Sequence, residues 1–179
     1  MTEFEFLSVM ISIIFGLGLT HVLAGTMRYI YAGRATELRL VYSLFALFVL
    51  VLNWWVIFTW RSHADWSFEE FLVLVFWAIS HYLLAITLYP PEEGGYTDFE
   101  AHRRWFLWAF VGMAVLDISQ TAMRGDLFRP WYYLLFVLHY MAVALTAIFV
   151  RSTTVQRVVS WWFLFSIVTW ALVVRRFLA

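Results

Sequence analysis

Long apolar segments dominate the chain, and short polar stretches cut them into six. A helix needs about 20 apolar residues to cross the roughly 30 Å hydrocarbon core of a bilayer. On that length the pattern predicts helices over about 6–28, 39–60, 69–89, 104–123, 131–151 and 157–175. The intervening residues are those that stop or start helices. Gly33-Arg34-Ala35-Thr36-Glu37 follows the first helix and Arg61-Ser62-His63-Ala64-Asp65 the second. Ser67 is a natural N-cap for the third, because Glu69 and Glu70 fall in its first turn. Pro90-Pro91-Glu92-Glu93-Gly94-Gly95 ends the third helix, since proline cannot continue one. Arg124-Gly125-Asp126 ends the fourth, Pro130 opens the fifth, and a tight hairpin runs from Arg151 to Arg157. The predicted fold class is all-α: a polytopic integral membrane protein with one six-helix domain over residues 1–179 and the lipid bilayer as its solvent.

Composition agrees and removes several chemistries. Of 179 residues, 64% are hydrophobic and 13% charged, against about 45–50% and about 25% in soluble domains. Cysteine is absent, which excludes disulfides, thiolate metal sites and thiol catalysis. Lysine is absent too, and all twelve basic residues are arginine. That excludes Schiff-base chemistry and a phosphate-loop lysine, and it suits a GC-rich bacterial genome. Net charge is zero and no basic block suggests nucleic acid. The acidic start, Met1-Thr2-Glu3-Phe4-Glu5, does not read as a secretory signal.

Tryptophans at Trp60, Trp66 and Trp131 are expected at one membrane interface, and Trp105, Trp161 and Trp162 at the other. Arginine divides seven to five between the two ends of the helices: Arg28, Arg34, Arg39, Arg103, Arg104, Arg151 and Arg157 against Arg61, Arg124, Arg129, Arg175 and Arg176. With the acidic N-tail, this favours an inner-membrane protein whose termini both lie outside the cytoplasm.

The near balance has a candidate cause. Arg39 and Tyr42 recur as Arg129 and Tyr132, and Arg61-Ser62 as Arg151-Ser152, at a shift of 90. At a shift of 96, Phe15-Gly16 through His21 lies over Val111-Gly112 through Asp117, and Met27-Arg28 over Met123-Arg124. Two three-helix halves, 1–90 and 101–179, would insert with opposite topology, the inverted plan of several transporters. Chance alignment of apolar helices explains the same matches.

Four ionisable residues fall at membrane depth: His21, His81, Asp117 and His139. Such groups are costly there and are functional candidates by default. At a rise of about 1.5 Å per residue, the three histidines share one slab, while Asp117 and Asn53 lie toward the opposite side. His21 shares a face with Gly18 and Gly25, so it points into the bundle, and a small-residue stripe of Ser8, Ser12, Gly16, Thr20 and Ala24 offers close helix approach. Asp117, Gln120, Thr121 and Arg124 form a stripe at i, i+3, i+4, i+7, suited to a water-lined vestibule or a hydrogen-bonded helix contact.

Three readings follow. The first is a transporter or channel-like protein whose ion or substrate pathway uses Asp117, His21, Asn53, Gln120 and Thr121, with His81 and His139 lining it. The second has His21, His81 and His139 binding a metal or haem. In the third, a structural or signalling subunit, these groups merely join helices. His63, His102 and the Glu92-Glu93-Asp98-Glu100 cluster read as solvated loop residues, the acidic cluster alternatively as a cation-attracting mouth. No motif specifies a catalytic residue, a cofactor or a substrate, and a homo-oligomer with a shared pore is compatible with a bundle this small.

Overall fold

In the computed structural model, described for residues 2–90 and 96–174, the chain is all-helical, with six α-helices and no strand among those residues. They are α1 (Glu3–Tyr31), α2 (Glu37–Val56, continued by a 3-10 turn Ile57–Trp60), α3 (Phe68–Leu88), α4 (Phe99–Met123), α5 (Tyr133–Phe149) and α6 (Thr153–Thr169, continued by a π turn Trp170–Val174). All but α5 are long and apolar enough to cross a membrane. The 17 residues of α5 extend about 25 Å at the usual rise. Residues 91–95 of the loop after α3, and Arg175 and Arg176, lie outside the described residues.

Local chemistry explains the boundaries. Thr2 and Ser67 form capping boxes with Glu5 and Glu70, and Thr36 caps α2. The fourth helix begins earlier than the hydropathy pattern predicts because Asp98 caps it, its carboxylate accepting from the Glu100 N–H at 3.0 Å. The sixth also begins earlier: Gln156 lies in its first turn and donates through Nε2 to the carbonyls of Ala147 and Val150 (2.9 and 2.6 Å). Those are unfilled acceptors at the end of α5. Pro130 does not open α5. It sits in the preceding turn, where its carbonyl accepts from the Tyr133 N–H at 2.9 Å. Gly125, at φ +79°, supplies the left-handed residue that closes α4.

The helices pack in a ring: α1 on α3, α3 on α4, α4 on α5, α5 on α6, α6 on α2 and α2 back on α1, with α2 also touching α3. The two halves are not packed alike. In the first half α1 lies closely against α3, whereas the corresponding pair α4 and α6 stands further apart and meets through long side chains, as Phe110 on Phe163 at 5.3 Å. On α1 the buried face is Leu7, Ile11, Phe15, Gly18, Val22, Gly25 and Tyr29. Of the small-residue stripe, Gly16, Thr20 and Ala24 are exposed, so the stripe is not the helix's packing face within this chain. The close approach falls instead at Gly25, where any Cβ would run into the Tyr89 ring. Among the tryptophans, Trp60 is not an interface anchor: it is buried, stacked on Trp66 at 5.4 Å, whereas Trp105 and Trp131 are exposed.

Candidate functional site

Polar groups near the centre of the ring form one connected chain across four helices. It starts on α2 at Asn53, whose Nδ2 lies 2.7 Å from His81 Nε2 on α3. The Nδ1 of the same ring is 2.7 Å from the Trp77 carbonyl, one turn back. A carbonyl only accepts, so Nδ1 carries the proton and Nε2 accepts from the Asn53 amide. With the amide in this orientation the ring carries its proton on Nδ1. His81 is fully buried, with its ring edge-on to Phe15 and Trp77 (5.0 and 4.9 Å between centroids).

Trp77 carries the chain onward. Its indole Nε1 donates to Asp117 Oδ1 on α4 at 3.1 Å. Tyr133 on α5 donates to Asp117 Oδ2 at 2.6 Å, and Gln120 Nε2 approaches Oδ1 at 3.3 Å. Three donors thus converge on a half-buried carboxylate, and no ion pair involves it among the described residues. Asn53, Asp117, Tyr133 and Tyr140 line a cavity of about 80 Å³ whose other walls are mostly apolar, among them Phe45, Phe110 and Phe136. That volume is several times the 10–15 Å³ or so one water requires, and the polar lining gives water partners.

Beyond Asp117, the predicted stripe on α4 is a hydrogen-bonded helix contact. Gln120 and Thr121 are both buried. Gln120 accepts from the indole of Trp60 at 3.0 Å and donates to Thr121 at 2.8 Å, and Thr121 meets the Tyr133 hydroxyl at 3.0 Å. Arg124 closes the end of α4, donating to Thr59 and to Asp126 (2.6 Å).

His21 belongs to a different cluster, at the opposite end of the bundle. It does point inward, but its Nε2 meets the carbonyl of Tyr89 at 2.9 Å. The Tyr89 hydroxyl bonds Thr26 and Ser43 (2.9 and 2.8 Å). Beside it, buried Arg39 donates to the Thr97 carbonyl at 2.8 Å and lies 4.0 Å over the Tyr29 ring. His21 and Asp117 therefore do not share a site. His139 corrects the expectation further. It sits near the middle of α5 but on the exposed face, where its Nε2 accepts from Trp162 at 2.8 Å.

The three histidines do not converge, and no group of three or more metal-ligating side chains occurs among the described residues. Outside the centre, His102 lies in α4 rather than in a loop, and His63 is half-buried against Trp60 and Trp66, 3.1 Å from Glu70.

Sequence reasoning found Asn53, His81, Asp117, Gln120 and Thr121 but missed Trp60, Trp77 and Tyr133, which join them. One signal was present: Trp77 precedes His81 by four residues, so the two share a helix face.

No family model matches the chain, and neither a curated protein nor a solved structure matches it.

Proposed function

We propose that the chain is a six-helix integral membrane protein of a bacterial inner membrane, and that it works as a small transporter or channel. Its ion or proton site is centred on Asp117, with Asn53 and Tyr133 beside it. Two features support the membrane reading. Five helices have spanning length and apolarity. Large hydrophobic side chains such as Phe6, Ile13, Leu17, Phe76 and Phe165 are exposed along the helices, a surface that soluble monomers rarely carry. The arginine-rich end, carrying Arg28, Arg34, Arg103, Arg104, Arg151 and Arg157, faces the cytoplasm.

The observation that carries the transport reading is Asp117 itself: an ionisable group within an apolar helix of spanning length, without a cationic partner among the described residues, facing a half-open pocket. Trp77 ties Asp117 to His81 and Asn53 through two separate groups, its indole on the carboxylate and its backbone carbonyl on the imidazole. The Asn53 amide has an oxygen as well as a nitrogen. Rotating it by half a turn would let it accept from a protonated His81, so the pair tolerates either charge state of the ring. The test is proton or monovalent-cation flux in proteoliposomes, read with an internal dye. Asp117→Asn is expected to reduce flux by about tenfold or more, the factor that roughly 1.4 kcal/mol at a rate-limiting step represents. Undiminished flux in a folded Asp117→Asn protein overturns the assignment.

A further inference from the structure

We propose a second site, at the arginine-rich end, that binds the phosphate of an anionic phospholipid headgroup. It is a cleft of about 400 Å³ lined by Glu100, Arg103, Arg104, Ile148, Phe149 and Arg151. The first turns of α4 form one wall, and the end of α5 with the turn into α6 forms the other.

Charge selects an anion. The cleft is lined by three guanidinium groups, Arg103 and Arg104 on α4 and Arg151 beyond α5, against one carboxylate, Glu100. Glu100 is 3.7 Å from Arg103 Nε, an ion pair too long for a hydrogen bond, and that buried nitrogen has no hydrogen-bond partner. Arg104 and Arg151 are exposed and enter no ion pair among the described residues. Arg103 Nη1 and Gln156 Nε2 both donate to the Ala147 carbonyl at 2.9 Å, so Arg103 offsets the negative end of α5 and the uncommitted charge of the cleft lies on Arg104 and Arg151. Arg103 is thereby pinned with 5% of its surface exposed, a rigid floor between two free arginines. The N-terminal end of α4 adds its own positive dipole.

The surroundings select a lipid over a free anion. Trp105 and Phe149, 68% and 69% exposed, flank the arginines on α4 and α5. An apolar rim beside a cationic cleft suits a headgroup phosphate with acyl chains running down the helix surface. Basic pockets at the cytoplasmic ends of membrane helices take anionic headgroups by the same electrostatics. The proposal rests on the membrane reading above and is independent of transport.

The test is thermal unfolding of the detergent-purified protein with added phosphatidylglycerol, phosphatidylcholine or inorganic phosphate. Phosphatidylglycerol is expected to raise the midpoint by about 2–4 °C, the scale on which modest ligand binding moves a chain this size. Phosphatidylcholine and millimolar phosphate should leave it in place. The double variant Arg104→Gln/Arg151→Gln should lose the shift, and Arg104→Lys/Arg151→Lys should keep most of it, which separates lost charge from misfolding. Equal shifts with both lipids, a shift that survives in the Gln variant, or an equal effect of inorganic phosphate would overturn the site. A protein that stays in solution without detergent contradicts the membrane reading instead.

Discussion

Asp117→Leu is expected to lower the unfolding free energy by about 2–4 kcal/mol, and Asp117→Asn by only about 1 kcal/mol. The asymmetry follows from which donors lose their acceptors. Leucine removes both carboxylate oxygens, so the Trp77 indole N–H loses its one hydrogen bond in the core. Tyr133 keeps the Asp117 backbone carbonyl (3.2 Å) and Thr121, and Gln120 keeps Thr121, so their losses are partial. Asparagine retains one oxygen, enough for Trp77. A buried donor left without a partner costs about 1–3 kcal/mol, more than the net worth of the bond it made. Reversible unfolding in mixed micelles measures both variants. Equal losses would mean that packing alone, not donor satisfaction, holds this position.

His81→Ala is expected to cost about 3–5 kcal/mol. Large-to-small changes at fully buried positions cost about 2–5 kcal/mol through lost contacts and the residual cavity. His81 is fully buried between Phe15 and Trp77. The change also deprives the Asn53 amide of its acceptor. Pairing it with Asn53→Leu should recover part of the loss, because the double change removes both polar partners. A double-mutant cycle in the same micelles gives the coupling. Strict additivity would contradict the hydrogen bond between the two side chains.

What could be read from the sequence divides along one physical line, depth against direction. Position along a helix follows from counting residues at a fixed rise, so His81 and His139 fall near the middle of α3 and α5 as the count predicts, while the early start of α4 puts Asp117 further from its helix centre. Direction around the helix axis needs a polar face, and several of these helices have none. On α5, apolar residues surround the axis almost evenly, so nothing marked His139 as outward-facing. The fourth helix was different. Its polar residues at i, i+3, i+4 and i+7 defined a face, and that face does point inward, with Gln120 and Thr121 buried.

Helix ends were legible where a cap or a turn residue marked them, as at Ser67 and Gly125. They were misjudged where polar residues belong to the helix, as at Gln156. The pairing of helices was not legible. The contact of α1 with α3, and the separation of His21 from Asp117, depend on long-range packing that no local pattern encodes. Trp77 and Tyr133 escaped notice because an aromatic ring in an apolar run reads as packing. Their polar tips matter only once a carboxylate stands opposite.

The central claim is that water reaches the cavity beside Asp117. The chain contains no cysteine, so single cysteines can be introduced without removing any. Met113 lies one turn from Asp117 and lines the cavity, whereas Phe106 is fully buried on the same helix and does not. In sealed membranes, Met113→Cys is predicted to react with a small charged thiol reagent, more slowly when Asp117→Asn is added, while Phe106→Cys stays unreactive. If Met113→Cys is as unreactive as Phe106→Cys, the cavity is dry and the transport reading fails.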